Sequence, residues 1–284
     1  MEKVVGLFGY PVSHSLSSIF QNAGFRRLGL DFTYLLFSIK PKKLKKAVEG
    51  IKSLNIVGMN ITIPHKEKIM LHLDKISPEA KKIGAVNTIF NKNGKLIGYN
   101  TDVNGFLASL QEDLKFNPRG KSVFLLGAGG VAYAITYALI TKGVKGITIV
   151  NKPRWMAELL VKHFRKIAKG CEFNLVDFNR RNNKRLVEDS DILINATSVG
   201  MNPGDVSLIK EELLYPGLLV FDVVYNRETS LLKLAKKKGL NAIGGLNMLI
   251  HQGAASFEIW TGEKAPIKTM RKAAESALKK QNNK

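Results

Sequence analysis

A glycine-rich turn between a strand and a helix limits the fold more than any other segment. Residues 122–126 form a short, mostly apolar run that leads straight into Gly127-Ala128-Gly129-Gly130. A helical pattern follows, with apolar or small residues at 131, 134, 135, 138 and 139, and stops at Gly143. Residues 146–150 then read as a second strand. Glycines let the chain turn tightly and let a pyrophosphate approach the backbone, and the helix start offers free N–H groups and the positive end of its dipole. Alone, such a motif is also an ordinary structural turn; within a strand–turn–helix–strand unit it points to a dinucleotide. The spacing is G-x-G-G, with Tyr133 where a third small residue is usual.

Further strands are expected at 173–176, 191–195, 218–222 and 241–243, mostly separated by helical stretches. Six strands at this spacing predict a doubly wound parallel sheet of Rossmann type. The first hundred residues form a separate α/β series. Strands are expected at 4–9, 32–39 and 56–63, and helices at 16–28, 41–54 and 64–73, the last with Pro64 in its first turn. Residues 85–90 and 95–99 flank Asn91-Lys92-Asn93-Gly94 as a hairpin, and a helix over 101–110 begins at Thr101 as N-cap. Residues 246–260 and 266–279 read as two closing helices that pack back on the first unit. The expected division is 1–105, 106–243 and 244–284.

Cofactor choice turns on the end of the second strand in the glycine unit. A carboxylate there would bind the ribose of NAD, but the chain reads Asn151-Lys152-Pro153-Arg154 and has no Asp or Glu from 114 to 157. Lys152 and Arg154 suit the additional 2′-phosphate of NADP. A solvated basic turn reads the same way.

Composition narrows the remaining classes. The 284 residues are 45% hydrophobic, enough for one large or two medium cores. Cys171 is the only cysteine, which excludes an internal disulfide and fits a reducing compartment. No apolar run spans a bilayer and the first residues lack a secretion signal, so a cytoplasmic protein is expected, with no membrane partner. The net charge of +21 raises nucleic acid as a partner. The lysines instead alternate with apolar residues in helix-like stretches, as on solvated faces, and no nucleic-acid partner is expected. The five histidines lack ligand spacing, so no metal is expected. Monomer and homodimer both fit.

Polar clusters sit at strand ends of the first unit: Ser13-His14-Ser15, Asn60 and Thr62 on one face of their strand, His65-Lys66, Asn87-Thr88, and Asn100-Thr101-Asp102. Singly, each has an ordinary role in caps, turns or surface. Jointly they resemble the shikimate dehydrogenase family. The pieces are GYPVSHSLS (9–17), GMNITIPHK (58–66), GAVNT (84–88), GYNTD (98–102), GAGG (127–130), NATSVGM (195–201), DVVY (222–225) and GGLNMLIHQG (244–253), in the family's order.

The resemblance implies an N-terminal substrate domain, a Rossmann domain for NADP, and reversible reduction of 3-dehydroshikimate to shikimate in aromatic amino-acid biosynthesis. Lys66 and Asp102 are implied as the catalytic pair. Ser13 and Ser15 are implied for the substrate carboxylate, and Asn60, Thr62, Asn87, Asp102 and Gln252 for the ring hydroxyls. Tyr225 is implied to line the substrate side of a cleft. Gly127, Ala128, Gly129, Gly130, Asn151, Lys152, Thr197, Gly245 and Met248 are implied to contact the cofactor. An ammonium at Lys66 suits the chemistry independently, since a ketone taking up hydride needs a proton at the developing alkoxide.

Departures from the family concentrate at the basic turn. Lys152 stands for the usual Arg, Pro153 for Thr and Met156 for a second Arg, which removes a bidentate phosphate clamp and a hydroxyl donor. Arg154 is the substitute in reach. Tyr133, Ser18 and Arg227 also differ from the family pattern. The nearest rival is a quinate/shikimate dehydrogenase with wider NAD and NADP use. A silent binding protein on the same fold and a nucleic-acid binder are the rivals from other classes.

Overall fold

The computed structural model of the chain describes residues 2–282. By internal contacts the chain divides into two units, one of residues up to Gly105 with those from Ile250 on, the other Phe106–Leu249.

The first unit carries β1 (Lys3–Gly9), α1 (Ser17–Arg27), β2 (Phe32–Ser38), α2 (Leu44–Ser53), β3 (Gly58–Ile61), β4 (Lys75–Ile76), α3 (Pro78–Ile83), β5 (Thr88–Lys92) and β6 (Lys95–Tyr99), and α4 (Asp102–Glu112) leaves it. Its sheet runs β2-β1-β3-β5-β6-β4. β1 is parallel to β2 and β3, and β5 is antiparallel to β3 and β6. α1 ends at Gly29, whose φ of +63° suits glycine, and the N–H of Leu30 donates to the Phe25 carbonyl at 3.0 Å. α2 buries Leu44, Val48 and Ile51, one stripe at helical spacing, against a core with Met59, Ile61 and Ile89. Fully burying an aliphatic or aromatic side chain of this kind contributes roughly 1.5–3 kcal/mol. In the hairpin Lys92 pairs with Lys95, so the loop is Asn93-Gly94, with φ of +53° and +81°, the signature of a type I′ turn.

Three local expectations are corrected. The helix expected over 64–73 is only a 3-10 turn at Lys68–His72. Ile69 is its one fully buried residue, Met70 and Leu73 pack only partly on the same core and Leu71 is 83% exposed, so the contact is too small to fix a full helix. The helix expected from 41 opens as a 3-10 turn, Pro41–Lys43, before α2. β4 and α3 lie where no element was expected. α3 nonetheless carries its own signals: the Ser77 hydroxyl accepts from the Ala80 N–H at 3.2 Å, Pro78 opens the helix, and Gly84 ends it at φ +79°.

α9 (Leu246–Thr261) follows the last strand of the second unit, β12 (Ala242–Gly244), and α10 (Ile267–Asn282) follows α9. Within the first unit Phe257 of α9 stacks on Phe25 of α1 at 4.8 Å between ring centres. The Trp260 indole N–H donates to the Ile89 carbonyl at 2.9 Å. Gly58 makes room for that ring, since a Cβ there would lie 2.1 Å from Nε1.

The second unit carries β7 (Ser122–Leu126), α5 (Gly130–Thr141), β8 (Gly146–Val150), α6 (Arg154–Phe164), β9 (Glu172–Val176), α7 (Lys184–Glu188), β10 (Ile192–Asn195), β11 (Leu219–Asp222), α8 (Ser230–Lys237) and β12 (Ala242–Gly244). All pairs in its six-stranded sheet, β12-β11-β10-β7-β8-β9, are parallel. This is the doubly wound sheet expected from the sequence. The order reverses between β7 and β10, so the glycine turn after β7 lies at the switch point where such sheets bind ligands.

Candidate active site

In the first unit, the loop after β3 presents Lys66. The His65 N–H donates to the Thr62 carbonyl at 2.9 Å and the Lys66 carbonyl accepts from Val86 N–H at 2.8 Å. The His65 ring is fully buried with Nε2 2.7 Å from the Ile39 carbonyl; a carbonyl only accepts, so that nitrogen carries the proton. His65 thereby anchors the loop beside Lys66.

Lys66 Nζ lies 2.5 Å from Asp102 Oδ2, with side chains 15% and 7% exposed. Asp102 is the first residue of α4. Its N–H donates to the Asn100 side chain at 3.0 Å. The Thr101 hydroxyl, expected as the cap, is engaged by Asn87 and Ser256.

Asn87 sets the orientation of this pair. Its Oδ1 accepts from the Thr101 backbone N–H at 2.8 Å, a group that can only donate. Its amide N–H₂ therefore faces Asp102 Oδ1 at 2.8 Å, with Gln252 Oε1 at 3.3 Å and Thr101 Oγ1 at 2.9 Å. Asp102 accepts on both oxygens, from Lys66 on one and Asn87 on the other.

Asn60 lies behind Asn87. Its Nδ2 has the Asn87 carbonyl, Thr88 Oγ1 and Ser256 Oγ within 3.1 Å, and its Oδ1 accepts from the Tyr34 hydroxyl at 2.9 Å. Thr88, Thr101, Ser256 and Tyr34 were not singled out as site residues. Thr88 and Thr101 sit inside quoted motifs, and Ser256 lies one helical turn beyond Gln252, a spacing that could have found it.

Thr62 borders the loop after β1, where a Cβ on Gly9 would meet its Cγ2 at 2.3 Å and Val12 Cγ1 at 2.6 Å. On that loop Ser13 is exposed, and Ser15 Oγ accepts from the Ser17 N–H at 3.2 Å. Lys66, Asn87, Asp102, Gln252 and Asn60 thus form one hydrogen-bonded group, with Thr62 and the two serines on adjoining loops.

In the second unit, Gly127 has φ +104° and its N–H donates to the Val150 carbonyl at 2.8 Å. A Cβ there would lie 2.8 Å from the Ala196 carbonyl oxygen and 3.0 Å from Thr197 Cγ2, so Thr197 borders the turn. The Ala128 N–H donates to Asn151 Oδ1 at 3.1 Å. Gly129 is the N-cap of α5 and Gly130 its first residue; a Cβ on Gly129 would meet no atom within 4 Å. That open backbone in front of a helix N-terminus fits a pyrophosphate. Tyr133 packs against His163 and Phe164.

Asn195 and Asp222 tie the ends of β10 and β11. Asn195 Nδ2 donates to Asp222 Oδ1 at 3.0 Å, and its Oδ1 accepts from the Thr197 hydroxyl at 2.7 Å. Asp222 also accepts from Thr229 Oγ1 at 2.7 Å and Val224 N–H at 3.0 Å. Burial pushes its carboxyl above the usual range, and these donors oppose the shift. Tyr225 follows this knot, half-buried. Gly245 packs its Cα on Val223, with room for no Cβ, and Met248 is buried on α9.

At the basic turn, Lys152 Nζ stands 6.0 Å above the Phe178 ring centre. Arg154 Nη1 bonds Asp177 Oδ1 at 2.5 Å and Nε bonds Glu158 Oε1 at 3.0 Å. Among the described residues no group of three or more His, Cys, Asp or Glu is placed to hold a metal ion, and no helix is long and apolar enough to cross a membrane.

Three family models match the chain: the shikimate dehydrogenase substrate binding domain over residues 7–89, shikimate/quinate 5-dehydrogenase over 109–223, and the shikimate 5′-dehydrogenase C-terminal domain over 245–275. A relative from Desulforamulus reducens, named shikimate dehydrogenase (NADP(+)), is 45% identical over 95% of this chain and 93% of its own length. A solved shikimate dehydrogenase in complex with NADP+ is 41% identical, covers 98% of this chain and 96% of its own, and superposes with a TM-score of 0.90. A shikimate 5-dehydrogenase from Listeria monocytogenes, in complex with shikimate and NAD, is 37% identical over 95% and 96% of the two chains, with a TM-score of 0.87.

Proposed function

The chain belongs to the shikimate dehydrogenase family, and on that premise we propose that it catalyses the reversible, NADPH-dependent reduction of 3-dehydroshikimate to shikimate, a step of aromatic amino-acid biosynthesis. The observation that carries the reading is the Lys66–Asp102 contact, held in one orientation by Asn87.

NADPH, when bound, supplies the hydride. Gly127, Ala128, Gly129 and Gly130 would hold its pyrophosphate at the start of α5, with Asn151 fixing the turn through Ala128. Lys152 and Arg154 would be the cations for the 2′-phosphate. Thr197, Gly245 and Met248 border the cofactor, and the close packing of Gly245 on Val223 fixes the backbone where α9 begins.

Lys66 polarises the substrate ketone and passes a proton from Nζ to the alkoxide as hydride arrives. Asp102 fixes that ammonium in place and accepts from a substrate hydroxyl. Asn87 and Gln252 hold further ring hydroxyls with Thr62, and Ser13 and Ser15 hold the carboxylate. Asn60 reaches substrate only by giving up an acceptor it already has, so its larger share is bracing the Asn87 backbone. Tyr225 lines the substrate side.

The test is Lys66→Ala, read at the nicotinamide absorbance band with shikimate and NADP+. Turnover is expected to fall by about 10²–10⁴-fold while shikimate still binds. Turnover within tenfold of the parent removes Lys66 from proton transfer.

The engagement of Arg154 by two carboxylates supports a second reading, a quinate/shikimate dehydrogenase with looser cofactor choice. Comparable efficiency on quinate, or with NAD, would select it. The lone thiol fits a cytoplasmic enzyme, and sedimentation separates monomer from homodimer.

A further inference from the structure

β8 and β9 are parallel neighbours with Val150 opposite Val176. The residues that follow each strand therefore emerge side by side: Asn151 to Arg154 after one, Asp177 after the other. Nothing in the local sequence of the basic turn reveals this, since Asp177 lies twenty-three residues from Arg154. Glu158, one turn into α6, completes the arrangement. Arg154 gives Nη1 to Asp177 and Nε to Glu158, and its guanidinium is stabilised in the charged form first by Asp177 and then by Glu158. Lys152 and Arg154 together carry two positive charges, and Asp177 and Glu158 carry two negative ones. These four charges balance, and a further cation at this strand end is Arg181, on the same Phe178 ring as Lys152.

We propose that Asp177, assisted by Glu158, sets the discrimination between NADP and NAD by competing with the 2′-phosphate for Arg154. The inference rests on the reading that this turn receives the adenosine ribose. A guanidinium binds phosphate best through a pair of parallel N–H groups. Two of Arg154's five N–H donors are already engaged: the bond from Nε takes one donor of its Nε/Nη2 edge, and Nη1 is shared with Asp177. A phosphate arriving here displaces a carboxylate or binds the remaining Nη1 and Nη2 donors beside two like charges. NAD lacks that phosphate and meets no such conflict. Asp177 acts on the cofactor through Arg154 and is a positioning residue for specificity.

The experiment is calorimetric titration of NADP+ and NAD+ into the parent protein, Asp177→Asn, Glu158→Gln and Asp177→Asn/Arg154→Ala, at low and physiological salt. Heats of binding are read, independent of turnover. An exposed ion pair is worth up to about a fivefold change in affinity, so Asp177→Asn should tighten NADP+ by about three- to fivefold and leave NAD+ within about twofold. Glu158→Gln should move NADP+ the same way by less. The gain should shrink at higher salt and vanish in the double variant.

An unchanged NADP+/NAD+ ratio in Asp177→Asn overturns the proposal, as does equal tightening of both dinucleotides or a gain that survives without Arg154. Both acidic side chains are exposed, so the variants should fold as the parent does. If the parent binds neither dinucleotide, the cofactor reading itself falls and takes this one with it. If the parent binds NADP+ and only the variants fail to respond, the cofactor reading stands and this one does not.

Discussion

The two glycines at either end of Gly127-Ala128-Gly129 make opposite demands, which alanine can separate. At Gly127 the backbone has φ +104°, and a Cβ would lie 2.8 Å from the Ala196 carbonyl oxygen and 2.9 Å from its carbon. That carbonyl cannot drift freely, because the Ala196 N–H is tied to the Leu126 carbonyl at 2.7 Å. A left-handed backbone costs an L-residue roughly 1–2 kcal/mol, and overpacking against fixed atoms about 1–3 kcal/mol. Gly127→Ala should therefore lose roughly 2–5 kcal/mol, a large share of the about 5–15 kcal/mol that holds a domain together. Gly129 has φ −84° and ψ −174°, ordinary extended backbone, and open space around its Cβ position. Alanine is a markedly poorer N-cap than glycine, by roughly 0.5–1 kcal/mol, but it restricts the unfolded chain by about 0.4–1 kcal/mol, and the two effects leave stability within about 0.5 kcal/mol. The same methyl stands where the pyrophosphate is proposed to approach, so NADP+ binding should weaken by about 10–100-fold, the equivalent of about 1.4–2.8 kcal/mol. Urea denaturation measures the first effect and calorimetric titration the second. Parent-like stability in Gly127→Ala refutes the steric argument. Parent-like NADP+ affinity in Gly129→Ala refutes the placement of the pyrophosphate.

Asp222 predicts a pH effect on stability. Its folded carboxyl is raised by burial, so its stabilising contribution is complete below the ordinary carboxylate value and is lost as pH rises through the raised one. Asp222→Asn abolishes that titration, so the parent's urea midpoint relative to the variant should decline from acid to neutral pH; a flat or widening difference would contradict it. Cys171 predicts a chemical effect. Burial, with Glu172 adding to it, pushes its thiol up to about 11. Its ordinary value is 9.0, so thiolate at neutral pH should be depleted by roughly 100-fold, and since a more basic thiolate is the better nucleophile, disulfide-exchange reagents should react about tenfold slower than with a free thiol. A free-cysteine rate would rule out the effect of its half-buried placement.

The parts of the fold legible in sequence were those specified by local chemistry. β7 and β8 were readable because apolar strands flank a glycine turn, and the hairpin because Asn93-Gly94 accepts two positive φ angles. The helix expected over 64–73 failed although Ile69, Met70 and Leu73 all pack on the α2 core: Ile69 alone is fully buried and Leu71 faces solvent, too little contact to fix more than a 3-10 turn. α3 was missed for the opposite reason: its cap, proline and glycine are all present, but six residues are too few to show a period. At the candidate site, Lys66 and Asp102 were reachable through motif resemblance, thirty-six residues apart. What holds them was less visible. Ser256 meets Asn60 across 196 residues and Tyr34 meets it across 26. Such pairings are fixed by sheet register and helix placement, which no window along the chain contains. The same blindness made the basic turn look like a free phosphate clamp, since Asp177 approaches it from the neighbouring strand.

The division of the chain has a consequence for the order in which it is built. Strands β1 to β6 and α1 leave the ribosome before α9, yet α9 supplies groups that cover them: Trp260 on Ile89, Phe257 on Phe25, and the Gly253 carbonyl that takes the Gln21 amide at 2.9 Å. All of residues 106–249 must be synthesised in between, which at about 5–20 residues per second takes on the order of ten seconds. Throughout that interval Phe20, Phe25 and Gln21 lack the groups that later cover them, and at its end the second unit has every residue of its own while the first still waits for α9 and α10. The unit begun first is completed last, and its nascent apolar surface is the natural target for chaperones during translation.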